Sequence, residues 1–184
     1  RGIMGAFSDS TGGGGDMVLL YSTTLSSPTA SITTGTLPTG YKSLVIDTSL
    51  RADGSYPSNV IHGYFNGDTT AANYGYQFLI AYNGTNVAAG SAQVPFMTGA
   101  TGATASSGDY FGSDRIIIRD HESTVNFKTW FTAETTMTGP WANRNCVQIS
   151  GIWHNTAAIT SVTIQDPLAN DFVAGSFVAV YGLK

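Results

Sequence analysis

Asp120-His121-Glu122 is the densest group of potential metal ligands and acid–base residues in this chain. Neighbours on a strand point to opposite faces, so these three converge on one ion only from an irregular turn. They stand between two apolar runs where a polar hairpin is expected, and the turn reading is preferred. His62 and His154 are isolated in sequence, and His154 beside Asn155 reads as a strand-end residue. Serines are so abundant that pairing one with a histidine carries no information, and no G-x-S-x-G elbow occurs. Phosphate-loop, H-E-x-x-H and Ca2+-loop patterns are also missing from the sequence. A carboxylate pair for glycoside hydrolysis is a matter of three-dimensional spacing, and Asp53, Asp68, Asp109 and Asp166 stand in turn-like contexts. Cys146, the only cysteine, sits in a strand-like run (CVQISGIW) and reads as a small buried hydrophobe, not a nucleophile. The chain is expected not to be an enzyme and to use no metal and no cofactor.

Aromatic side chains are the stronger lead. Trp130 shares a face with Lys128 and Thr132 and reads as solvent-facing, while Trp141 and Tyr56 stand in loops beside prolines. Such rings can stack on sugars or anchor a protein contact. The alternative is that Trp130 caps the fold and Trp141 folds back over its edge.

The elements that would position these residues are strands. From Met17 onward the hydrophobic period is close to two and turn signals recur at short intervals. SLVIDTSLRAD (43–53) places Leu44, Ile46, Thr48 and Leu50 on one face, and YGYQFLIAYNG (74–84) does the same for Tyr74, Tyr76, Phe78, Ile80 and Tyr82. Asn66-Gly67-Asp68 suits a positive-φ turn, and Asn83-Gly84 predicts a hairpin into a strand near 86–91. TGATGATASSGD (98–109) and TGPWANRN (138–145) read as loops. RIIIRDHE, STVNFKTWFTAETT, CVQISGIWHN, AITSVTIQD and SFVAVYGL supply the later strands. No helical stripe exceeds about two turns. The expected fold is all-β: an antiparallel β-sandwich, jelly-roll-like.

Residues 1–16 are expected to form a flexible arm with a hinge of four glycines, and residues 17–184 a single β-sandwich domain. Ile3, Met4 and Phe7 are too few for a core and suit docking on a neighbouring subunit. At the other end Phe177, Val178, Val180 and Tyr181 predict a strand buried on both faces, or on one face plus a partner surface. These seven side chains are the candidate assembly contacts.

Composition narrows the class. Asp, Glu, Lys and Arg make up 11% of the 184 residues, against roughly 25% in ordinary soluble domains. A surface of Thr, Ser, Asn and Gly suits dense assembly, because few charges must be desolvated when copies pack. The net charge of −4 and the lack of any Lys/Arg cluster argue against nucleic acid. No apolar run approaches the roughly 18 residues of a spanning helix, so membrane insertion is not expected.

Three stretches together resemble a known family. TLPTGYKSLVIDTSLRADG (36–54) is similar to its turn-Pro-x-x-Tyr entry into a strand ending in Arg. FNGDTTAANYGYQFL (65–79) is similar to its Asn-Gly-Asp turn and aromatic strand. From Trp153 on, TAAITSVTI (156–164) and NDFVAGSFVAVYGLK (170–184) resemble its ending on Tyr-Gly-Leu, and RGIMG (1–5) its leading Arg-Gly segment. The family comprises β-sandwich virion proteins of tailed bacteriophages, found as head-decoration, head-fibre or similar accessory proteins. The resemblance covers nearly the whole chain, although Phe177–Val180 is more apolar than the usual ending. It implies an outer-capsid decoration or fibre subunit, located in the virion and assembled in the host cytoplasm. Its partners would be copies of itself, as a homotrimer, and other virion proteins such as the major capsid protein. The alternative is a receptor-binding module at a fibre tip that stacks host surface glycans on Tyr56, Trp130 or Trp141.

Overall fold

A computed structural model describes residues 16–55, 58–82, 86–101, 110–137 and 144–184. Ile3, Met4, Phe7, Tyr56, Asp109 and Trp141 lie outside the described residues.

The strands in chain order are β1 (Met17–Thr24), β2 (Ser31–Thr33), β3 (Ser43–Leu50), β4 (Ser58–Phe65), β5 (Tyr74–Tyr82) and β6 (Asn86–Ala92). They continue with β7 (Phe96–Thr101), β8 (Gly112–Arg119), β9 (Lys128–Met137), β10 (Arg144–Trp153), β11 (Val162–Gln165) and β12 (Phe177–Leu183). The one helical element among the described residues is a single 3-10 turn at Ala71–Asn73. Two antiparallel sheets result, ordered β1-β12-β3-β8-β9-β10-β5-β6 and β2-β11-β4-β7. Four of the pairings are nested, β1 with β12, β2 with β11, β3 with β8 and β4 with β7. The hairpins β5–β6 and β9–β10 extend the larger sheet.

The expected alternation places the core. Leu44, Ile46 and Leu50 of β3 are fully buried, as are Ile116 and Ile118 of β8 and Val178 and Val180 of β12. Ile61 and Phe65 of β4 and Val162 and Ile164 of β11 meet them from the small sheet. Each such side chain contributes about 1.5–3 kcal/mol relative to exposure. The core is the face-to-face interior of a β-sandwich. Tight turns fall where the sequence placed them: Asn66 and Gly67 adopt φ of 54° and 72°, after β4.

Five readings need correction, the first being that Arg144 and Asn145, read as the end of a loop, open β10. Residues 98–101 belong to β7, because antiparallel pairing with β4 gives even this small-residue run a ladder. Trp130 is only 3% exposed, and Lys128 and Thr132 beside it are fully buried. The lysine misled because its Nζ donates to three backbone carbonyls, Ser123 at 2.6 Å, Asn126 at 2.8 Å and Thr156 at 3.1 Å, and so needs no water. Cys146 is exposed, on the solvent-facing side of β10. Val178 and Val180 cannot be subunit contacts, because β12 lies second from the edge and turns both into the core. Phe177 and Tyr181 point the other way and are half-buried.

Candidate functional site

The inversion of β9 sets the character of the outer face of the large sheet, the face turned away from the small one. Buried Lys128, Trp130, Thr132 and Glu134 force Thr129, Phe131, Ala133 and Thr135 outward. Strand register then builds one row across all eight strands: Leu19, Tyr181, Val45, Ile117, Phe131, Ser150, Gln77 and Ser91. Its first five members are apolar. Leu19 is 54% exposed and Phe131 42%, while Val45 is shielded between its neighbours. Five strands at about 4.8 Å spacing make this stripe roughly 19 Å wide.

Few charges flank it. Asp47 and Arg115, register partners in the adjoining row, neutralise each other through two contacts of 2.7 Å. Arg119 stands in the row on the other side, beside Thr129 and Ile152. Where the apolar half gives way to the polar half, the sheet forms an open groove of about 830 Å3. Ile117, Phe131 and Ile152 line it together with Arg119, Gln77, Gln93 and Ser150.

The residues with chemical potential are placed elsewhere and do not converge. Asp120 occupies a turn with φ of 50°, as expected of a polar hairpin. His121 is buried, and desolvation lowers its pKa, so it is neutral near pH 7 despite Glu122 at 3.6 Å. Glu122 Oε1 instead accepts the backbone N–H groups of Gly40 and Tyr41. Among the described residues no group of three or more His, Cys, Asp or Glu could hold a metal ion. His62 faces the Tyr64 hydroxyl at 3.2 Å, and burial lowers its pKa against the opposing pull of Asp166. His154 is exposed directly after β10 and stacks on Phe127 with centroids 5.5 Å apart.

The turn acids are clamps. Asp68 Oδ2 accepts from Trp153 Nε1 and Asn73 Nδ2, both at 2.8 Å. Desolvation pushes its carboxyl up, but these bonds and those from Thr70 outweigh that and hold it below the usual range. Asp166 Oδ2 accepts from Asn59 at 2.6 Å and Asn170 at 3.0 Å. Asp53 Oδ1 takes the Asp171 N–H at 2.9 Å.

Sequence reasoning missed two features. The first is the stripe, whose outward aromatic is Phe131 where Trp130 was expected. The second is a carboxylate pair, Asp114 and Glu134, directly opposite each other on β8 and β9 and facing the interior. Both depend on β9, whose inward face had been read the wrong way round, and the acid pair also on β8, which begins at Gly112, ahead of the apolar run read as its strand.

No family model, curated protein or solved structure matches the chain. Among the described residues no helix is long and apolar enough to cross a membrane.

Proposed function

We propose that the protein is a structural subunit of a tailed-bacteriophage virion, an outer-capsid decoration or fibre component that works by protein–protein assembly. The observation that carries this is the apolar stripe on a nearly charge-free sheet face. A stripe flanked by one internally neutralised ion pair and by the single charge of Arg119 can be covered by another protein with little desolvation of charge. Tyr181 belongs to it and Phe177 lies on the same outer face beyond the Asp47–Arg115 row, so two of the expected assembly contacts remain on the accessible side. The assembly is a homo-oligomer, with a trimer as the expected state, docked on other virion proteins. Many modest contacts repeated over a particle give avidity that no single one needs.

The strand orders support a jelly-roll reading. Orders β1-β12-β3-β8 and β2-β11-β4-β7, with four nested antiparallel pairs, are those of a folded-over ribbon rolled into two sheets. Jelly rolls serve both capsid and lectin domains, so this architecture does not choose between assembly and sugar binding.

The groove favours a second reading, a glycan-binding module at a fibre tip. Phe131 offers a ring face, and Arg119, Gln77 and Gln93 offer polar groups beside it. Sedimentation velocity over a wide concentration range, paired with a broad glycan array, separates the two. Self-association with a blank array supports assembly. A monomer that binds a glycan, and loses it on Phe131→Ala, replaces the first reading with the second.

A further inference from the structure

Asp114 and Glu134 are only 5% and 6% exposed, and they face one another across the β8–β9 ladder. No ion pair among the described residues includes either one. Thr48 Oγ1 donates to Asp114 Oδ2 at 2.9 Å, and the Thr98 hydroxyl and Thr135 N–H lie close enough to hold the carboxyl down against desolvation, although Oδ1 makes no well-aligned hydrogen bond. Glu134 Oε2 is likewise buried and unpartnered.

A second set of buried oxygens lies on the same inward face, next in register to Glu134 or opposite Asp114. Thr136 and Asn145, register partners on β9 and β10, follow Glu134 on the inward face. Thr98 of β7 sits against the Asp114 carboxyl from the opposite sheet. Thr98 and Thr136 are fully buried and Asn145 is 7% exposed. Yet Thr98 Oγ1, Thr136 Oγ1 and Asn145 Oδ1 all lack a well-aligned hydrogen bond. Glu134 Oε2, Thr136 Oγ1 and Asn145 Oδ1 have no partner at all, and Asp114 Oδ1 and Thr98 Oγ1 have at most each other, which is more than a folded interior normally tolerates.

We infer that Asp114, Glu134, Thr98, Thr136 and Asn145 form an internal site for a divalent, oxygen-seeking cation of the Ca2+ class. The donor set is all oxygen, with no imidazole or thiolate, which selects hard cations. Two carboxylates match two positive charges. An enclosed set of carboxylate, amide and hydroxyl oxygens suits Ca2+ better than Mg2+, which keeps several waters. Thr98 belongs to the small sheet and the other four ligands to the large one, so the ion ties the two layers together. Without it, desolvation raises the pKa of both carboxyls; hydrogen bonds from Thr98, Thr48 and Thr135 pull Asp114 partly back, and the Asp114 charge raises Glu134 further. The competing occupant is a pair of protons.

The test uses the full chain, cleared of metal with a chelator, at pH 8. Titrated Ca2+ should bind one ion per chain by calorimetry. It should raise Tm by roughly 5–10 °C at about a hundredfold excess over Kd, with a smaller rise for Mg2+. Glu134→Gln, close to isosteric and uncharged, should abolish both responses while remaining folded. Hydrogen exchange on the wild-type chain gives a readout that needs no variant: Ca2+ should slow amides of β7, β8 and β9 selectively. Absence of any calorimetric or thermal response to Ca2+, a response that survives Glu134→Gln, or exchange slowed elsewhere but not in these strands would overturn the site.

Discussion

Trp130 and Gly151 are direct partners across β9 and β10, and the indole ring occupies the space that a side chain at 151 would fill. The missing Cβ lets the ring lie flat against the strand and reach Phe65 and Tyr74, with centroids 5.8 Å and 6.4 Å away. Gly182 plays the same part beneath Tyr41.

Gly151→Ala should therefore displace Trp130 and destabilise the fold by about 1–3 kcal/mol. Ser150→Ala, one residue away on the outer face, should change stability by less than about 0.5 kcal/mol. Urea denaturation of the two variants checks the difference, and equal midpoints would contradict the packing described.

The same strand shows what was legible in the sequence and what was not. Period-two patterning was plain in 43–50 and 74–82, because one face there is uniformly apolar. In β9 both faces are mixed. Lys128, Thr132 and Glu134 look like solvent residues, and Phe127 and Phe131 look like core. Which face turns inward was decided by partners distant in sequence: the carbonyl of Thr156 for Lys128, and Phe65 and Tyr74 for Trp130. No local pattern carries that information, so Trp130 was misplaced and both the stripe and the acid pair were missed.

Asp68 links three segments through one carboxylate. Asp68→Ala should leave the buried Trp153 indole N–H without a partner and cost about 1–3 kcal/mol at neutral pH. Because its folded-state pKa is lowered, this contribution is present above the unfolded carboxyl pKa and fades as pH falls through the lower folded value. The wild-type advantage over Asp68→Ala, measured by denaturation from neutral pH into acid, should shrink accordingly.

The interior acid pair gives the opposite sign. Desolvation pushes Asp114 up to about 7, and Glu134 is raised by burial and by the neighbouring Asp114 charge. The folded chain then holds protons that the unfolded chain releases near pH 4. In chelator, stability should fall as pH rises from about 4 through about 7. The double variant Asp114→Asn, Glu134→Gln should flatten that slope. Tm measured across the range decides it, and parallel curves would contradict the placement of the pair.

Cys146 projects from the outer face of β10. A thiol reagent should modify the single cysteine of the native protein fully and without denaturant. A reaction that needs unfolding would return the residue to the interior.

The central claim is that the stripe from Leu19 to Phe131 is an assembly surface. Solution mass by light scattering, on the native chain and on Phe131→Asp, tests it most directly. The account predicts an oligomer, a trimer by expectation, that falls to a monomer in the variant while the β circular-dichroism spectrum is kept. A native chain that stays monomeric at every concentration, or an oligomer indifferent to a charge at 131, would contradict it.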